Sequence, residues 1–159
     1  MSDSSERAAF PVQGRLLGID FGTRRVGLAV SNPEQTMAGA LEIIPRSNSA
    51  TESRRLKQVV QEYRIVGIVV GLPVHFSGDE GGSANLAREF GTWAATETGL
   101  PLCYHDELYT SAIAEQYLMD AQLTKKKRKE RLDKLAAQIL LQAFLESDRT
   151  SGAPGALNA

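Results

Sequence analysis

The order of apolar and polar positions in the first part of the chain predicts three β-strands. Residues 15–21 form a short, nearly continuous apolar run, which is typical of a central strand buried on both faces. After a plausible turn at 22–25, a second apolar run at 26–31 predicts a hairpin. A third strand is predicted at about 38–44, where Pro45 ends it.

The rest of the chain predicts helices in alternation with strands. Apolar residues at 49–63 recur at helical spacing, whereas 65–70 is the most strand-like segment of the chain. The further predictions are a helix at 83–98, a short strand at 102–105, and helices at about 111–121 and 129–146. Three strands followed by helix and strand alternation predict an α/β domain. We expect a five-stranded mixed sheet with helices on both faces. The predicted order of elements, βββαβαβαα, is that of the ribonuclease H-like fold.

Composition fits one domain of ordinary size. The chain has 159 residues, of which 42% are hydrophobic and 23% charged, and its net charge is −1. Total charge therefore does not indicate a polyanionic partner, and any such attraction must come from local clusters. We predict a folded domain at 15–146 between flexible segments at 1–14 and 147–159. Whether the protein is a monomer or a dimer stays open.

Cysteine usage and apolar run length give two further predictions. Cys103 is the only cysteine, so an intramolecular disulfide is impossible, and its apolar surroundings favour a buried structural role. No apolar run reaches the length of a membrane span and no secretory leader is recognisable. We therefore expect a cytoplasmic protein without a membrane partner.

Carboxylates occur at three positions where a plain surface role is in doubt. Alternation places Asp20 on the strand face opposite Leu17, Ile19 and Phe21, although an aspartate that caps the following turn is an equal alternative. Asp133 falls inside the apolar sector of the last helix, where a basic partner, a cation or the helix dipole could explain it.

A further acid follows the last predicted strand. Asp106 and Glu107 are adjacent there, and spacing alone does not choose between them. Asp20, one of this pair and Asp133 would form an oxygen-only ligand set, which suits Mg²⁺ or Mn²⁺ better than Zn²⁺.

Basic residues cluster just before Asp133. Six of the seven residues at 125–131 are Lys or Arg, and a loop there would attract phosphates, although a solvated charge run is the commoner meaning. Arg24 and Arg25, at the tip of the hairpin, could assist. The candidate substrate-binding residues are Arg24, Arg25, Lys125, Lys126, Lys127, Arg128 and Lys129. Trp93 is interpreted as a core residue rather than a base-stacking platform.

Four motifs carry a resemblance to a known family. Residues 18–29 (GIDFGTRRVGLA), 68–73 (IVVGLP), 106–111 (DELYTS) and 132–137 (LDKLAA) resemble, in this order, motifs of the YqgF/RuvX family. Its members are described as candidate Holliday-junction resolvases or pre-16S rRNA nucleases. The resemblance covers about 15–146.

The resemblance implies a function and a set of site residues. It implies a ribonuclease H-like hydrolase that cuts phosphodiester bonds and processes the 5′ end of pre-16S rRNA. RNA is the favoured partner, and structured DNA is possible. It assigns the metal-binding and catalytic acids to Asp20, Glu107 and Asp133, and so selects Glu107 over Asp106. Leu108 departs from the family pattern, which usually has arginine there.

We hypothesise that Asp20 bridges two Mg²⁺ or Mn²⁺ ions during phosphodiester hydrolysis. One alternative function is Holliday-junction resolution, and another is a non-catalytic RNA-binding module of the same fold. A third is a phosphotransferase of the actin and sugar-kinase class, which needs two such domains around a cleft where 159 residues supply one.

Overall fold

A computed structural model describes residues 10–73, 82–107 and 125–147. The strands are β1 (Arg15–Phe21), β2 (Arg25–Ser31), β3 (Ala38–Pro45), β4 (Ile65–Leu72) and β5 (Leu102–Asp106). The helices are α1 (Ser49–Tyr63), α2 (Gly82–Thr98) and α3 (Lys125–Glu146). The helix predicted at 111–121 lies outside the described residues, as do 1–9 and 148–159. None of the helices described in these three ranges is long and apolar enough to cross a membrane.

The five strands form one mixed sheet in the order β3-β2-β1-β4-β5. The central strand β1 is antiparallel to β2 and parallel to β4, and Ile19 pairs with Leu28 on one side and Val70 on the other. Parallel neighbours need a crossover connection, and the segments containing α1 and α2 provide one before β4 and one before β5. The predicted α/β class with a five-stranded mixed sheet is thereby confirmed.

Each face of the sheet buries its own apolar cluster. Leu17 and Ile19 of β1 pack with residues of α1 and α2 on one face, whereas Leu16 packs on the other with Leu141 and Phe144 of α3. A strand covered on both sides must be apolar on both sides, which explains the continuous apolar run at 15–21.

Two glutamines attach α3 to the edge strand β3. Gln142 accepts a hydrogen bond from the Ala38 backbone N–H at 2.8 Å and donates to the Thr36 carbonyl at 3.1 Å. Gln138 donates to the Ala38 carbonyl at 3.2 Å. These bonds satisfy backbone groups that an edge strand would otherwise expose, and they fix the position of α3 on the sheet.

The segment before β1 is also packed onto the domain. Phe10 contacts Phe144 edge to face, with ring centroids 5.9 Å apart. The buried side chain of Gln35 donates to the carbonyls of Pro11 and Gly14 at 3.3 and 3.0 Å. Residues 10–14 therefore belong to the packed part of the described chain.

Candidate active site

Asp20 lies at the carboxyl end of β1, on the face of the sheet that α3 covers. Leu16, four residues earlier, is buried in the cluster beneath α3. A Cβ atom built on Gly18 would lie 2.9 Å from Cβ of Leu141, so the helix passes directly over this position. Since side chains alternate between the faces of a strand, half-buried Asp20 belongs to the same face. The predicted face of Asp20 is confirmed.

Glu107 meets Asp20 by crossing the strand between them. It follows β5 directly, and β4 separates β5 from β1. Neighbouring strands lie about 4.8 Å apart, so side chains from β5 and β1 must together bridge roughly 10 Å to meet over β4. Gly71 of β4 leaves the path open: a Cβ atom there would lie 2.8 Å from Cγ and 2.9 Å from Cδ of Glu107. The long glutamate side chain thus lies over a glycine.

The two carboxyl groups strongly affect each other. Burial raises the pKa of Glu107, and the negative charge of Asp20 and a hydrogen bond with Asp20 raise it further, to about 9. At neutral pH and without a cation, the pair therefore retains a proton that two separate carboxylates would have lost. A positive charge between Asp20 and Glu107, either a proton or a cation, is therefore favoured.

Geometry separates Glu107 from its neighbour Asp106, a choice that spacing left open. Asp106 is the last residue of β5 and is exposed, whereas Glu107 is half-buried against Asp20. Of the two, Glu107 is the acid in contact with the candidate site.

A cleft of about 270 Å³ opens beside Asp20. The β1–β2 turn forms one wall and contributes Arg24 and Arg25, both exposed. The turn depends on Gly22, since a Cβ atom there would lie 2.6 Å from the carbonyl oxygen of Arg25. The remaining lining residues are Gly22, Thr23, Gly27 and Ile43. The structure therefore places the two predicted turn arginines in one cleft with a predicted metal ligand.

The backbone of α3 carries Asp133 toward the same end of the sheet. Ala137 lies next to the cleft, because its Cβ is 3.5 Å from where a Cβ of Gly27 would be. Asp133 is one helical turn before Ala137. Leu141 covers Gly18 while Ala137 covers Gly27 and the region of Asp20, so the helix runs toward the carboxyl end of β1 as it approaches Asp133. The side chain of Asp133 is outside the described part of the chain.

The basic segment at 125–131 is helical throughout: 129–131 lie in the predicted helix, whereas the loop expected at 125–128 is wrong. It forms the first two turns of α3, which begins at Lys125. Lys and Arg have high helix propensity, and a charged run is compatible with a helix whose first turns face solvent. Lys127 is exposed. Lys125, Lys126, Arg128 and Lys129 share these turns, and their side chains are not among those described.

Gly71 and Gly27 are site residues that sequence reasoning missed. Both stand inside strands, where glycine is unfavourable and often marks a close approach. Gly71 admits Glu107, and a Cβ on Gly27 would lie 3.7 Å from Cβ of Asp20. The signal was available, since glycines interrupt otherwise β-branched and aliphatic runs in β2 and β4.

The donor set fits a hard divalent cation. Asp20 and Glu107 offer only carboxylate oxygens, the ligands preferred by Mg²⁺ and Mn²⁺. A cation between them would replace the proton and offset the burial and the repulsion by Asp20 that raise the pKa of Glu107. Among the described side chains there is no cluster of three or more His, Cys, Asp or Glu residues that could hold a metal. The third acid of the predicted set, Asp133, is not counted here, because its side chain is not among those described.

Comparison with known proteins identifies the family. The RuvX family model, whose description is Holliday junction resolvase, matches residues 14–147. The chain belongs to the RuvX family. The resemblance drawn from the four sequence motifs is thus confirmed.

Curated relatives of this RuvX-family chain extend over most of its length. A candidate pre-16S rRNA nuclease of Koribacter versatilis is 44% identical over 135 residues, which are 85% of this chain and 88% of the relative. Another from Rhodopirellula baltica is 38% identical over 143 residues, covering 90% and 83% of the two chains.

A solved structure shares the fold. RuvC of Thermus thermophilus, in complex with a Holliday junction substrate, superposes with a TM-score of 0.54 at 21% identity. The match covers 88% of this chain and 98% of RuvC. The fold of the RuvX-family chain is therefore ribonuclease H-like, as its element order predicted.

Proposed function

We propose that this RuvX-family chain is a metal-dependent nuclease that hydrolyses phosphodiester bonds at the 5′ end of pre-16S rRNA. The observation that carries the proposal is the contact of Glu107 with Asp20 across Gly71, beside a cleft that also contains Arg24 and Arg25. The description of the family as a resolvase, and of the relatives as candidate pre-16S rRNA nucleases, supports the reaction class. The proposal implies action in the cytoplasm, on RNA.

The residues of the cleft have complementary tasks in this proposal. Asp20 and Glu107 would hold Mg²⁺ or Mn²⁺, and Asp133 would complete the ligand set from α3. When bound, such ions lower the pKa of an attacking water and stabilise the leaving oxygen of the phosphodiester. Arg24 and Arg25 would bind and orient the phosphate through charge-assisted hydrogen bonds. Glu107 would release its proton as the cation binds.

Cleavage of a model RNA tests the proposal. Purified protein is incubated with Mg²⁺ or Mn²⁺ and a 16S rRNA fragment that keeps its 5′ extension, and the products are resolved on a sequencing gel. Asp20→Asn, Glu107→Gln and Asp133→Asn are each expected to reduce cleavage at least about 100-fold, because each removes a charged ligand. Asp106→Asn is the matched control, since it removes an exposed carboxylate next to Glu107. Wild-type rates in Asp20→Asn, or equal losses in Asp106→Asn and Glu107→Gln, would contradict the proposal.

Holliday-junction resolution is the second candidate, favoured by the description of the family model. The same protein and metal are tested on a four-way DNA junction and on a linear duplex of the same sequence. Faster cleavage of the junction than of the extended RNA would favour this reaction.

A non-catalytic RNA-binding module is the remaining alternative. It is motivated by Leu108, which stands where the family pattern usually has arginine and lies outside the described residues. RNA binding that is unchanged by Asp20→Asn, together with no cleavage of either nucleic acid in the presence of metal, would favour this reading.

A further inference from the structure

A second cleft, of about 360 Å³, lies on the opposite face of the sheet from Asp20. Phe21 follows Asp20 in β1 and points to the α1 and α2 side, where it packs against the apolar cluster that contains Leu17 and Ile19. Thr23, at the β1–β2 turn, lines both clefts. A strand bound at Asp20 therefore has only the turn to cross to enter the second cleft. Its lining residues are Phe21, Thr23, Arg46, Ser47, Ser49, Glu52, Leu86, Glu89, Phe90 and Trp93.

Aromatic rings and one guanidinium form the wall of this cleft. The ring centroids of Phe21 and Phe90 are 5.1 Å apart, and those of Phe90 and Trp93 are 5.3 Å apart. The guanidinium carbon of Arg46 lies 4.9 Å from the Phe21 centroid and 5.4 Å from that of Phe90. Trp93 packs against the core, as its sequence position predicts, but it is only partly buried and also faces the cleft.

Arg46 is held in a fixed orientation. Its Nε donates to Glu52 at 2.8 Å, and a terminal nitrogen donates to the Gly22 carbonyl at 3.4 Å. Glu52 is buried and also accepts the Ser47 backbone N–H at 2.9 Å. The side chain of Arg46 remains 30% exposed. A planar guanidinium that is fixed at its edge and backed by aromatic rings can stack a further flat ring on its free face.

The charge of the lining selects against a phosphate. Glu52 and Glu89 contribute two negative charges and Arg46 one positive charge, so the side chains lining the cleft carry a net −1. The positive charge of Arg46 is already paired with Glu52. A neutral, flat ligand with hydrogen-bonding edges suits these walls, and the hydroxyl groups of Ser47, Ser49 and Thr23 lie around them. The volume falls within the range of small-ligand pockets, roughly 300–1,000 Å³.

We infer that the second cleft receives an unpaired nucleobase of the substrate strand, adjacent to the phosphate that Arg24 and Arg25 would bind in the cleft beside Asp20. The inference rests on the proposed function for the position of that phosphate. It adds a requirement the first cleft does not impose, namely that the substrate has a base free to leave a duplex next to the cleavage site. Thr23 lines both clefts and would lie between the base and its phosphate.

Trp93 provides a direct measurement because it is the only tryptophan in the chain. Its fluorescence is recorded while an eight-nucleotide single-stranded RNA is added in EDTA, so that metal-dependent cleavage does not interfere. The titration is repeated with RNAs in which one nucleotide at a time is abasic. We expect intact RNA to quench the fluorescence. One abasic position should weaken binding about tenfold or more, within the range known for base–aromatic stacking.

Two variants and one control separate stacking from packing. Trp93→Leu keeps an apolar side chain and Arg46→Lys keeps the charge, but each loses a stacking plane. Because Trp93→Leu removes the only tryptophan, binding by both variants and the control is measured by the anisotropy of fluorescently labelled RNA. Both variants are expected to weaken binding of the intact RNA and to leave binding of the sensitive abasic RNA unchanged. Tyr63→Leu is the control, since Tyr63 packs against the same core outside both clefts. It should bind intact and abasic RNA as the wild type does.

The outcomes distinguish this inference from the proposed nuclease function. Binding without quenching, or equal affinity for all abasic RNAs, would overturn the base-binding cleft even if the protein cleaves RNA. Quenching with one sensitive position supports the cleft even if no cleavage is found with metal, in which case the nuclease proposal fails alone.

Discussion

Replacement of Gly71 by alanine tests whether the site depends on an open path across β4. The added Cβ would lie 2.8 Å from Cγ of Glu107, 2.9 Å from its Cδ and 2.9 Å from a terminal carbon of Leu140. Carbon atoms in contact prefer about 3.5–4.0 Å, so these groups must move apart by roughly 0.5–1 Å. Leu140 is fully buried and resists movement, which leaves Glu107 as the group that yields.

This displacement of Glu107 should lower both the cleavage rate and the stability of the fold. A shift of about 1 Å at a reacting centre can cost roughly 100-fold in rate, so Gly71→Ala should lose about that much RNA cleavage. Overpacking typically costs about 1–3 kcal/mol, which corresponds to a melting temperature lower by roughly 2–12 °C for a domain of this size. Cleavage of the 5′-extended RNA and thermal unfolding measure the two effects.

Matched variants make the test specific. Gly39→Ala, in the edge strand β3, adds the same methyl group where nothing lies within 4 Å and should be neutral in both assays. In a Glu107→Ala background, Gly71→Ala should destabilise by about 1 kcal/mol less than in the wild type, because one of its two clashes is gone. Wild-type cleavage by Gly71→Ala, or no coupling between positions 71 and 107, would refute the reasoning.

Two further predictions concern charge. The folded-state pKa of Glu107 is raised to about 9 from an ordinary value of 4.5, so between these pH values the folded chain holds a proton that the unfolded chain has released. Stability in EDTA should therefore fall as pH rises through this window. Glu107→Gln should be more stable than wild type at pH 8, by up to about 5 kcal/mol, but not at pH 4. Chemical denaturation at both pH values measures this, and equal stabilities at pH 8 would contradict it. Lys127→Glu should lower the slope of log affinity for single-stranded RNA against log salt by about 0.7 per lost phosphate contact, whereas Lys57→Glu in α1, on the other face of the sheet, should not change it.

Sequence patterns predicted most of the described sheet because burial on two faces leaves a direct trace in composition. The nearly continuous apolar run of β1 predicted a central position, and the structure places it there. The period-2 alternation within that strand was enough to separate Asp20 from Ile19 and Phe21. Strand ends were less accurate: β4 was expected to stop at Val70 but continues through Gly71 to Leu72.

The candidate site was harder to predict because it depends on contacts between distant segments. Asp106 and Glu107 are equivalent to any local rule. Only the position of Gly71, more than thirty residues earlier in the sequence, makes Glu107 the one that can reach β1. The predicted helix was expected to begin at about 129 but already includes 125–128, because charge density says little about backbone conformation. The cleft behind Arg46 left no local signal, since its walls come from β1, α1, α2 and the segment before α1.

The glutamine bonds between α3 and β3 have a consequence for how this sequence can change. Gln138 and Gln142 fix the rotation of the helix about its own axis, because both bond to backbone atoms around Ala38. Asp133 stands earlier on the same helix, so its angular direction is set by its spacing from these glutamines. Insertion or deletion of one residue between 133 and 138 would turn Asp133 by about 100° relative to the sheet. The proposed role of Asp133 therefore constrains the number of residues between it and these glutamines, in addition to the identity of the acid.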